Sequence, residues 1–227
     1  MLSSQVATNG FAIAPAIFSE SEIKTLLEMI EKGKNDQQKE KEVFAIRCFL
    51  QTFPDLEKTL MTAAFKQLIA DFGESYHVVK SIYFDKPPSA NWVVNWHQDL
   101  TISIKDKVAT NGFEKWLPKE GYFSVQPPIH YLENIITLRI HLDDCTKQNG
   151  ALRIIPKSHH EILLSKNLST TFFENEVVCE VPKGGVLIMK PLVWHSSKRT
   201  QNNENRRVIH IELSNMALPK PLMWAEV

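Results

Sequence analysis

The sequence predicts a mainly β protein of the α+β class: a double-stranded β-helix, of the jelly-roll or cupin-like type, with N-terminal helices packed outside it. Segments with helical spacing lie in the first third of the chain, and short apolar segments typical of strands follow them with little alternation between the two. That order favours antiparallel sheets with helices outside, and a double-sheet jelly roll is the form we expect. We expect one domain over residues 1–227, with a helical part at about 15–75 and a β-helix core at about 76–214.

The helical part begins with a capping box of Ser19 and Glu22, and the apolar spacing that follows predicts a helix that runs to Ile30. The charged stretch Lys32–Glu42 favours a surface loop. A second helix is predicted over Leu56–Phe72, because apolar residues recur on one face of that segment.

The β part contains seven segments with the apolar or alternating pattern of strands. They are Tyr76–Phe84, Trp92–Trp96, Ile135–Leu142, Ala151–Ile155, Val177–Val181, Val186–Met189 and Arg207–Leu213. A long connection, Ile104–Pro128, is predicted as a loop; its aromatic residues indicate either a lid over a substrate or a small core of the loop's own. The tail after Pro219 is expected to pack through Leu222, Met223 and Trp224.

Composition narrows the class of protein. The chain is 43 % hydrophobic and 23 % charged, which is ordinary for a globular domain. Its 26 basic and 26 acidic residues cancel, so no overall charge favours a nucleic-acid or anionic membrane partner. No apolar run approaches the roughly 20 residues of a membrane span. We therefore expect a small-molecule partner and neither nucleic acid nor membrane; the sequence does not indicate an oligomeric state.

The expected location is the cytoplasm. The first residues lack the basic and apolar blocks of a signal peptide. Three widely spaced cysteines, Cys48, Cys145 and Cys179, form no disulfide framework and are typical of free thiols in a reducing compartment.

Two fragments predict a metal site. His97 and Asp99 are two positions apart, so in an extended segment both point to one side and can share one metal ion. His195 ends an apolar strand that follows Gly184-Gly185, which places its imidazole at the mouth of a sheet. A His-x-Asp pair with a distant His is the facial triad of a non-haem Fe(II) oxygenase, with open positions for substrates. His97 and Asp99 alone would also suit ordinary surface hydrogen bonds.

An arginine follows the second fragment. Arg206 and Arg207 begin a strand, and alternation alone does not decide which of them points inward. An inward arginine here can bind the distal carboxylate of a 2-oxo acid through two parallel hydrogen bonds, whereas solvated edge charges are the alternative.

A polar strand face lies between the two fragments. Thr137, Arg139 and His141 share one side of the predicted strand Ile135–Leu142, and we expect this side to line a polar cavity rather than to face solvent. Arg139 and His141 are therefore candidates to contact an anionic or polar substrate. The following Asp143-Asp144 pair is more typical of turn chemistry than of a second metal site.

Together these blocks resemble the phytanoyl-CoA dioxygenase family of Fe(II)/2-oxoglutarate oxygenases. The resemblance covers roughly residues 81–213. Its blocks, in order, are Trp96–Asp99, Leu142–Asp144 with Asn149–Leu152, Ile155–His159, His195 and Arg206. It implies a double-stranded β-helix that holds Fe(II) through His97, Asp99 and His195, which are then also the catalytic residues, and that uses 2-oxoglutarate and O₂.

The resemblance also implies individual roles. The family places its carboxylate-binding arginine eleven residues after the second histidine, which selects Arg206 over Arg207. A hydroxyl two residues after that histidine matches Ser197, and Thr137 is a candidate second hydroxyl for the cosubstrate. The implied activity is hydroxylation of an unactivated C–H bond in a small metabolite, with release of succinate and CO₂. Asp99 favours hydroxylation, since halogenases have a small residue there.

Two departures from the family pattern lie in turns: Gly184-Gly185 replaces a common Gly-Asp, and Pro156-Lys157 replaces a common Pro-Gly. Two other functions stay open. One is a non-catalytic jelly-roll binding protein. The other is a cupin-type metal enzyme that does not use 2-oxoglutarate, which His141 or His210 as a fourth metal ligand would favour.

Overall fold

The computed structural model describes residues 1–36, 44–87, 92–160 and 170–226. The helices of this part are α1 Leu2–Asn9, α2 Glu20–Asp36, α3 Phe49–Thr52, α4 Pro54–Leu60, α5 Ala63–Ala70 and α6 Ile129–Glu133, with 3₁₀ turns at Ser158–His160 and Thr170–Phe173. The strands are β1 Phe11–Ala14, β2 Ala45–Arg47, β3 His77–Lys86, β4 Val94–His97, β5 Ile102–Ile104, β6 Glu114–Lys119, β7 Tyr122–Gln126, β8 Ile135–His141, β9 Leu152–Ile154, β10 Val177–Val178, β11 Val186–Met189, β12 His195–Ser197 and β13 Arg206–Ser214.

The strands form three antiparallel sheets. A major sheet has the order β1-β11-β8-β13-β3-β2, a minor sheet has the order β10-β9-β12-β4, and a small sheet has the order β5-β7-β6. The crossovers between neighbouring strands are those of a jelly roll. The predicted fold class, mainly antiparallel β with N-terminal helices packed against it, is confirmed.

The two faces of the major sheet differ in character because side chains alternate along each strand. On β8, Ile136, Leu138 and Ile140 point outward and belong to one buried cluster with the apolar residues of α2, α4 and α5. Thr137 and His141 of the same strand point to the other face and are also buried. The helices therefore cover the outer face, and the inner face can carry polar groups.

Regular structure begins earlier in the chain than the sequence predicts. The helical part was expected from about residue 15, but α1 and β1 precede it, and β1 pairs with β11 at the edge of the major sheet. Gly184 lies where this edge meets the helices: its φ is 81°, and a Cβ atom there would sit 2.2 Å from the Phe18 carbonyl oxygen. Only glycine fits this approach.

Two predicted helix boundaries are wrong. The helix beginning near Ser19 continues through Lys32–Asp36 of the predicted charged loop, and the rest of that loop, residues 37–43, lies outside the described residues. The single helix predicted over Leu56–Phe72 is divided into α4 and α5. The break occurs at Thr62, whose side chain accepts a hydrogen bond from the Phe65 N–H at 3.2 Å and so caps a new helix.

The predicted loop Ile104–Pro128 is also wrong as a secondary-structure assignment, since most of it forms the small sheet. Its aromatic residues pack together: the Trp116 indole N–H donates to the Phe113 carbonyl at 3.0 Å, and Phe113 contacts Tyr131. These residues belong to a second buried cluster with Ile102 and Trp224. The contacts fit the alternative of a small core rather than a lid.

The C-terminal tail packs against this small sheet. Leu222 and Trp224 are each 5 % exposed, whereas Met223 is 53 % exposed, so two of the three predicted anchors are buried. The Trp224 indole N–H donates to the Met216 carbonyl at 3.1 Å. No helix among residues 1–36, 44–87, 92–160 and 170–226 has the length and apolar character needed to cross a membrane.

Replacement of Trp224 by alanine should lower the free energy of unfolding by about 3–5 kcal/mol, because it leaves a cavity in the second cluster and an unpaired carbonyl. The matched control is Met223→Ala, one residue away on the exposed side, which should change that free energy by no more than about 0.5 kcal/mol. Urea denaturation of both variants measures this. Equal effects would contradict the anchoring role of Trp224.

Candidate metal and cosubstrate site

The minor sheet brings the three predicted metal ligands together. His97 ends β4 and is the direct register partner of His195 on β12. Asp99 follows β4, and its backbone N–H donates to the Pro191 carbonyl at 2.9 Å. Its two carboxylate oxygens lie 3.7 Å from Nε2 of His97 and 3.7 Å from Nε2 of His195. One ligand atom from each residue lies within 4.8 Å of the others.

Backbone carbonyls set the tautomer of both histidines. Nδ1 of His97 lies 2.8 Å from the Asn95 carbonyl oxygen, and Nδ1 of His195 lies 2.9 Å from the Val193 carbonyl oxygen. Because a carbonyl oxygen only accepts, Nδ1 carries the proton in each ring and Nε2 presents its lone pair toward Asp99. Both imidazoles are thus oriented to offer Nε2 to a metal ion.

Electrostatics favour the metal-binding protonation states. Burial lowers the pKa of His195 to about 4, so its ring is neutral near pH 7. Burial alone would raise the pKa of Asp99, but the positive charges that His195 and His97 carry when protonated, together with Lys80, lower that pKa to about 2, so the carboxylate is ionised near pH 7. A carboxylate and two imidazoles that turn Nε2 toward it are the donor set of a 2-His-1-carboxylate site, so these residues fit Fe(II).

The two consecutive arginines point in opposite directions. Arg207 faces outward and forms a two-pronged pair with Asp143, at 2.6 and 2.9 Å. Arg206 points to the inner face and is 9 % exposed. The choice that alternation left open therefore falls on Arg206, the arginine also favoured by the family spacing.

The remaining predicted site residues lie on the inner faces of the two sheets. Ser197 is two residues after His195 on β12 and is 2 % exposed. Thr137, Arg139 and His141 occupy the inner face of β8, across from β13. Thr137 and His141 are buried, and Arg139 is partly buried.

Several inner-face polar atoms have no hydrogen-bond partner among the described residues. They are Thr137 Oγ1, Arg139 Nε, both ring nitrogens of His141, and Arg206 Nε. Leaving a buried donor or acceptor unsatisfied costs about 1–3 kcal/mol, so such atoms are rare unless a ligand uses them. The set is mainly composed of donors, and a carboxylate-bearing 2-oxo acid supplies the acceptors. These residues therefore fit 2-oxoglutarate.

The same face also carries a buried polar network that the sequence did not predict. An N–H of Arg139 lies 3.0 Å from Nδ1 of His210, and Nε2 of His210 lies 3.2 Å from the Glu212 carboxylate. Lys80 of β3 donates to the same carboxylate at 2.7 Å. Alternation from Arg206 already places His210 and Glu212 on the inner face, so that part of the network was detectable. The place of Lys80 in the network could not be predicted, because it depends on the pairing of β3 with β13, which no local pattern indicates.

A comparison with protein families decides the identity. The model of one family, phytanoyl-CoA dioxygenase (PhyH), matches residues 6–208. The chain belongs to this family. The resemblance seen in the sequence is thereby confirmed, and it extends to the N-terminal helices as well as the β-helix. The triad of His97, Asp99 and His195 fits the Fe(II) site of this family.

Solved structures share the fold at low sequence identity. AviO1 from Streptomyces viridochromogenes is 21 % identical, with 96 % of this chain and 95 % of that chain covered and a TM-score of 0.64. HygX from Streptomyces hygroscopicus, solved with nickel and 2-oxoglutarate bound, is 12 % identical, with 94 % and 85 % covered and a TM-score of 0.69. SnoK, a non-haem α-ketoglutarate-dependent carbocyclase from nogalamycin biosynthesis, is 15 % identical, with 94 % and 82 % covered and a TM-score of 0.65. No curated protein sequence matches the chain.

Replacement of Asp99 by alanine should weaken Fe(II) binding by more than the 10- to 100-fold that loss of an outer-shell partner costs, because it removes the one charged ligand of the proposed metal site. Anaerobic calorimetric titration with Fe(II) measures the affinity. The control is Asp106→Ala, an exposed aspartate outside the triad, which should bind Fe(II) like the wild type. An unchanged affinity in Asp99→Ala would contradict the assignment of the metal site.

Proposed function

We propose that this protein is an Fe(II)- and 2-oxoglutarate-dependent dioxygenase that hydroxylates an unactivated C–H bond of a small metabolite. The observation that carries the proposal is the meeting of three ligand atoms within 4.8 Å, in which both imidazoles present Nε2. Membership of the phytanoyl-CoA dioxygenase family supports the same chemistry. When bound, iron and 2-oxoglutarate would activate O₂, which is the oxidant, with succinate and CO₂ as coproducts.

The chain's own residues hold and orient the reactants. His97, Asp99 and His195 would hold the iron and leave its other positions free for small ligands. Arg206 would grip the distal carboxylate of 2-oxoglutarate, with Ser197 and Thr137 as hydroxyl partners. The buried surroundings of Arg206 strengthen such a charged contact, since little water competes there.

The structure has a cleft beside β2. It has a volume of 580 Å³ and lies between β2 and the turn of β6 and β7; its lining includes Arg47, Cys48, Lys119 and Tyr122. Such a volume suits a small metabolite. We propose substrate entry here.

Hydroxylation is the outcome we favour over other oxidations. Asp99 occupies the position at which a halogenase would need a small residue. SnoK is named a carbocyclase, so one fold supports more than one product type, and product analysis decides among them.

The cupin-type alternative loses support from the geometry. A histidine as fourth metal ligand would favour it, but within the described part of the chain the group of possible ligands contains His97, Asp99 and His195 without His141 or His210. His210 is instead hydrogen-bonded to Arg139 and Glu212. The residues present also argue against a binding protein without catalysis, since the whole triad is intact.

We further propose that residues 1–227 act as one domain in the cytoplasm. The three cysteines are free thiols, which suits a reducing compartment.

Anaerobic titration of the Fe(II)-loaded protein with 2-oxoglutarate tests the proposed function. The wild type should develop the weak visible charge-transfer band of the chelate. Arg206→Ala should show a weaker band at equal 2-oxoglutarate, because the distal carboxylate loses its charged partner. Admission of O₂ should then yield succinate, measured by mass spectrometry. A wild type that binds iron but forms no band would refute the assignment of 2-oxoglutarate.

A further inference from the structure

We propose that Arg139 and His141 bind the distal carboxylate of the 2-oxo acid together with Arg206, so that the cosubstrate end is read by two arginines and a histidine. The inference rests on the proposed function and deepens it. It assigns Arg139 and His141 to the cosubstrate, whereas the sequence favoured them as contacts of the substrate.

The strand register places the three side chains side by side. His141 pairs with Val208 and Arg139 pairs with His210, while Arg206 precedes Val208 by two residues on the same inner face. The three groups therefore occupy successive rows of one surface, from Arg206 through His141 to Arg139. Arg139 is close enough to both Arg206 and Asp99 for their charges to affect its pKa.

The charges in this surface are unbalanced. Neither Arg139 nor Arg206 has a carboxylate within 4.0 Å among the residues that the structure describes. Burial, and then the charge of Arg206, lower the pKa of Arg139 to about 10. Two close cations in a buried site repel each other unless an anion lies between them. A carboxylate placed there relieves the repulsion and gives both guanidinium Nε atoms an acceptor.

His141 is suited to the same ligand. Burial lowers its pKa well below the usual value, and the charges of Arg139 and Arg206 lower it further. The ring is therefore neutral and has one N–H to donate. Neither ring nitrogen has a partner among the described residues, although the side chain is only 3 % exposed. A donor so enclosed between two arginines points to an anionic oxygen as its missing acceptor.

A relay of hydrogen bonds holds Arg139 in place. Its guanidinium donates to Nδ1 of His210, so the proton of His210 sits on Nε2 and is donated to Glu212. Glu212 accepts a further bond from Lys80. The guanidinium also lies 5.6 Å from the centre of the Phe84 ring. Each partner has one consistent role, which leaves Nε of Arg139 free for the ligand.

The cleft proposed for substrate entry does not support the prediction that Arg139 and His141 contact the substrate. It is lined by residues of β2, α3 and the β6–β7 turn, and Arg139 and His141 are not among them. The position of both residues beside Arg206 favours the cosubstrate end.

A matched pair of 2-oxo acids isolates the contact. 2-Oxoglutarate and 2-oxopentanoate share the metal-chelating end, but 2-oxopentanoate has a methyl group in place of the distal carboxylate. The quantity to measure is the ratio of their dissociation constants, from the anaerobic charge-transfer band of the Fe(II) protein. Arg139→Gln should reduce the preference for 2-oxoglutarate about 10- to 100-fold, because a charge-assisted hydrogen bond is lost. Binding of 2-oxopentanoate should change little.

His141→Leu provides a second variant with an opposite effect on stability. It should also reduce the preference for 2-oxoglutarate, by about 5- to 10-fold for a neutral hydrogen bond. At the same time it removes two unpartnered buried nitrogens, so the ligand-free protein should melt at the same or a higher temperature. A merely structural role for His141 would instead lower the melting temperature and leave the ligand preference unchanged. This variant keeps the inference testable should Arg139→Gln fail to fold.

Arg207→Gln is the control for removal of an arginine. It lies on the outer face of the same strand and should cost stability through Asp143 while leaving the ligand preference at the wild-type value. A wild-type band with an unchanged preference in both Arg139→Gln and His141→Leu would overturn this inference alone. Equal weakening of both 2-oxo acids would overturn it too, because the effect would then act through the metal. Absence of the band in the wild type would overturn the proposed function and this inference with it.

Discussion

The pairing of β12 with β4 is the constraint on which the site depends. It sets His195 opposite His97, and the chain then turns so that Asp99 lies between their Nε2 atoms. A slip of one residue in this register would turn His195 to the other face of the minor sheet and separate the ligands. The Nδ1 contacts are local, because each histidine uses the backbone carbonyl two residues before it in the chain. The sheet thus sets the position of the ligands, and the local backbone sets which ring nitrogen faces the metal position.

Burial of polar groups on the inner face of the major sheet costs folding free energy, and these groups are of two kinds. Lys80, Glu212 and His210 compensate one another through hydrogen bonds within the protein. Arg139, His141 and Arg206 keep atoms without such partners. Buried polar groups that lack partners lower stability, and proteins retain them where a ligand completes the network. The outer face, covered by helices and purely apolar at Ile136, Leu138 and Ile140, supplies the packing that offsets this cost.

Much of the fold could be predicted because its patterns are local. The strand Val186–Met189 was placed at its observed bounds, and the capping box at Ser19 marked the start of α2, since both depend on neighbouring residues. The errors occurred where tertiary contacts override propensity. The small sheet was not predicted because β6 is exposed and irregular; its order comes from pairing with β7 and from Trp116, which packs against the second cluster. The break at Thr62 was missed because a continuous apolar stripe concealed a capping residue.

By itself the sequence determined the family, the jelly-roll class and the residue types of the metal site, because spacing along a strand and order along the chain survive without coordinates. Alternation placed Thr137, Arg139 and His141 on one face for the same reason. Alternation did not distinguish Arg206 from Arg207 and the family spacing favoured Arg206; the tertiary structure supplied the physical reason, since Asp143 holds Arg207 outside. It alone revealed Lys80 beside Glu212 and the unpartnered donors around Arg206. Those facts depend on which strands become neighbours, and the free energy of distant packing decides that rather than any local pattern.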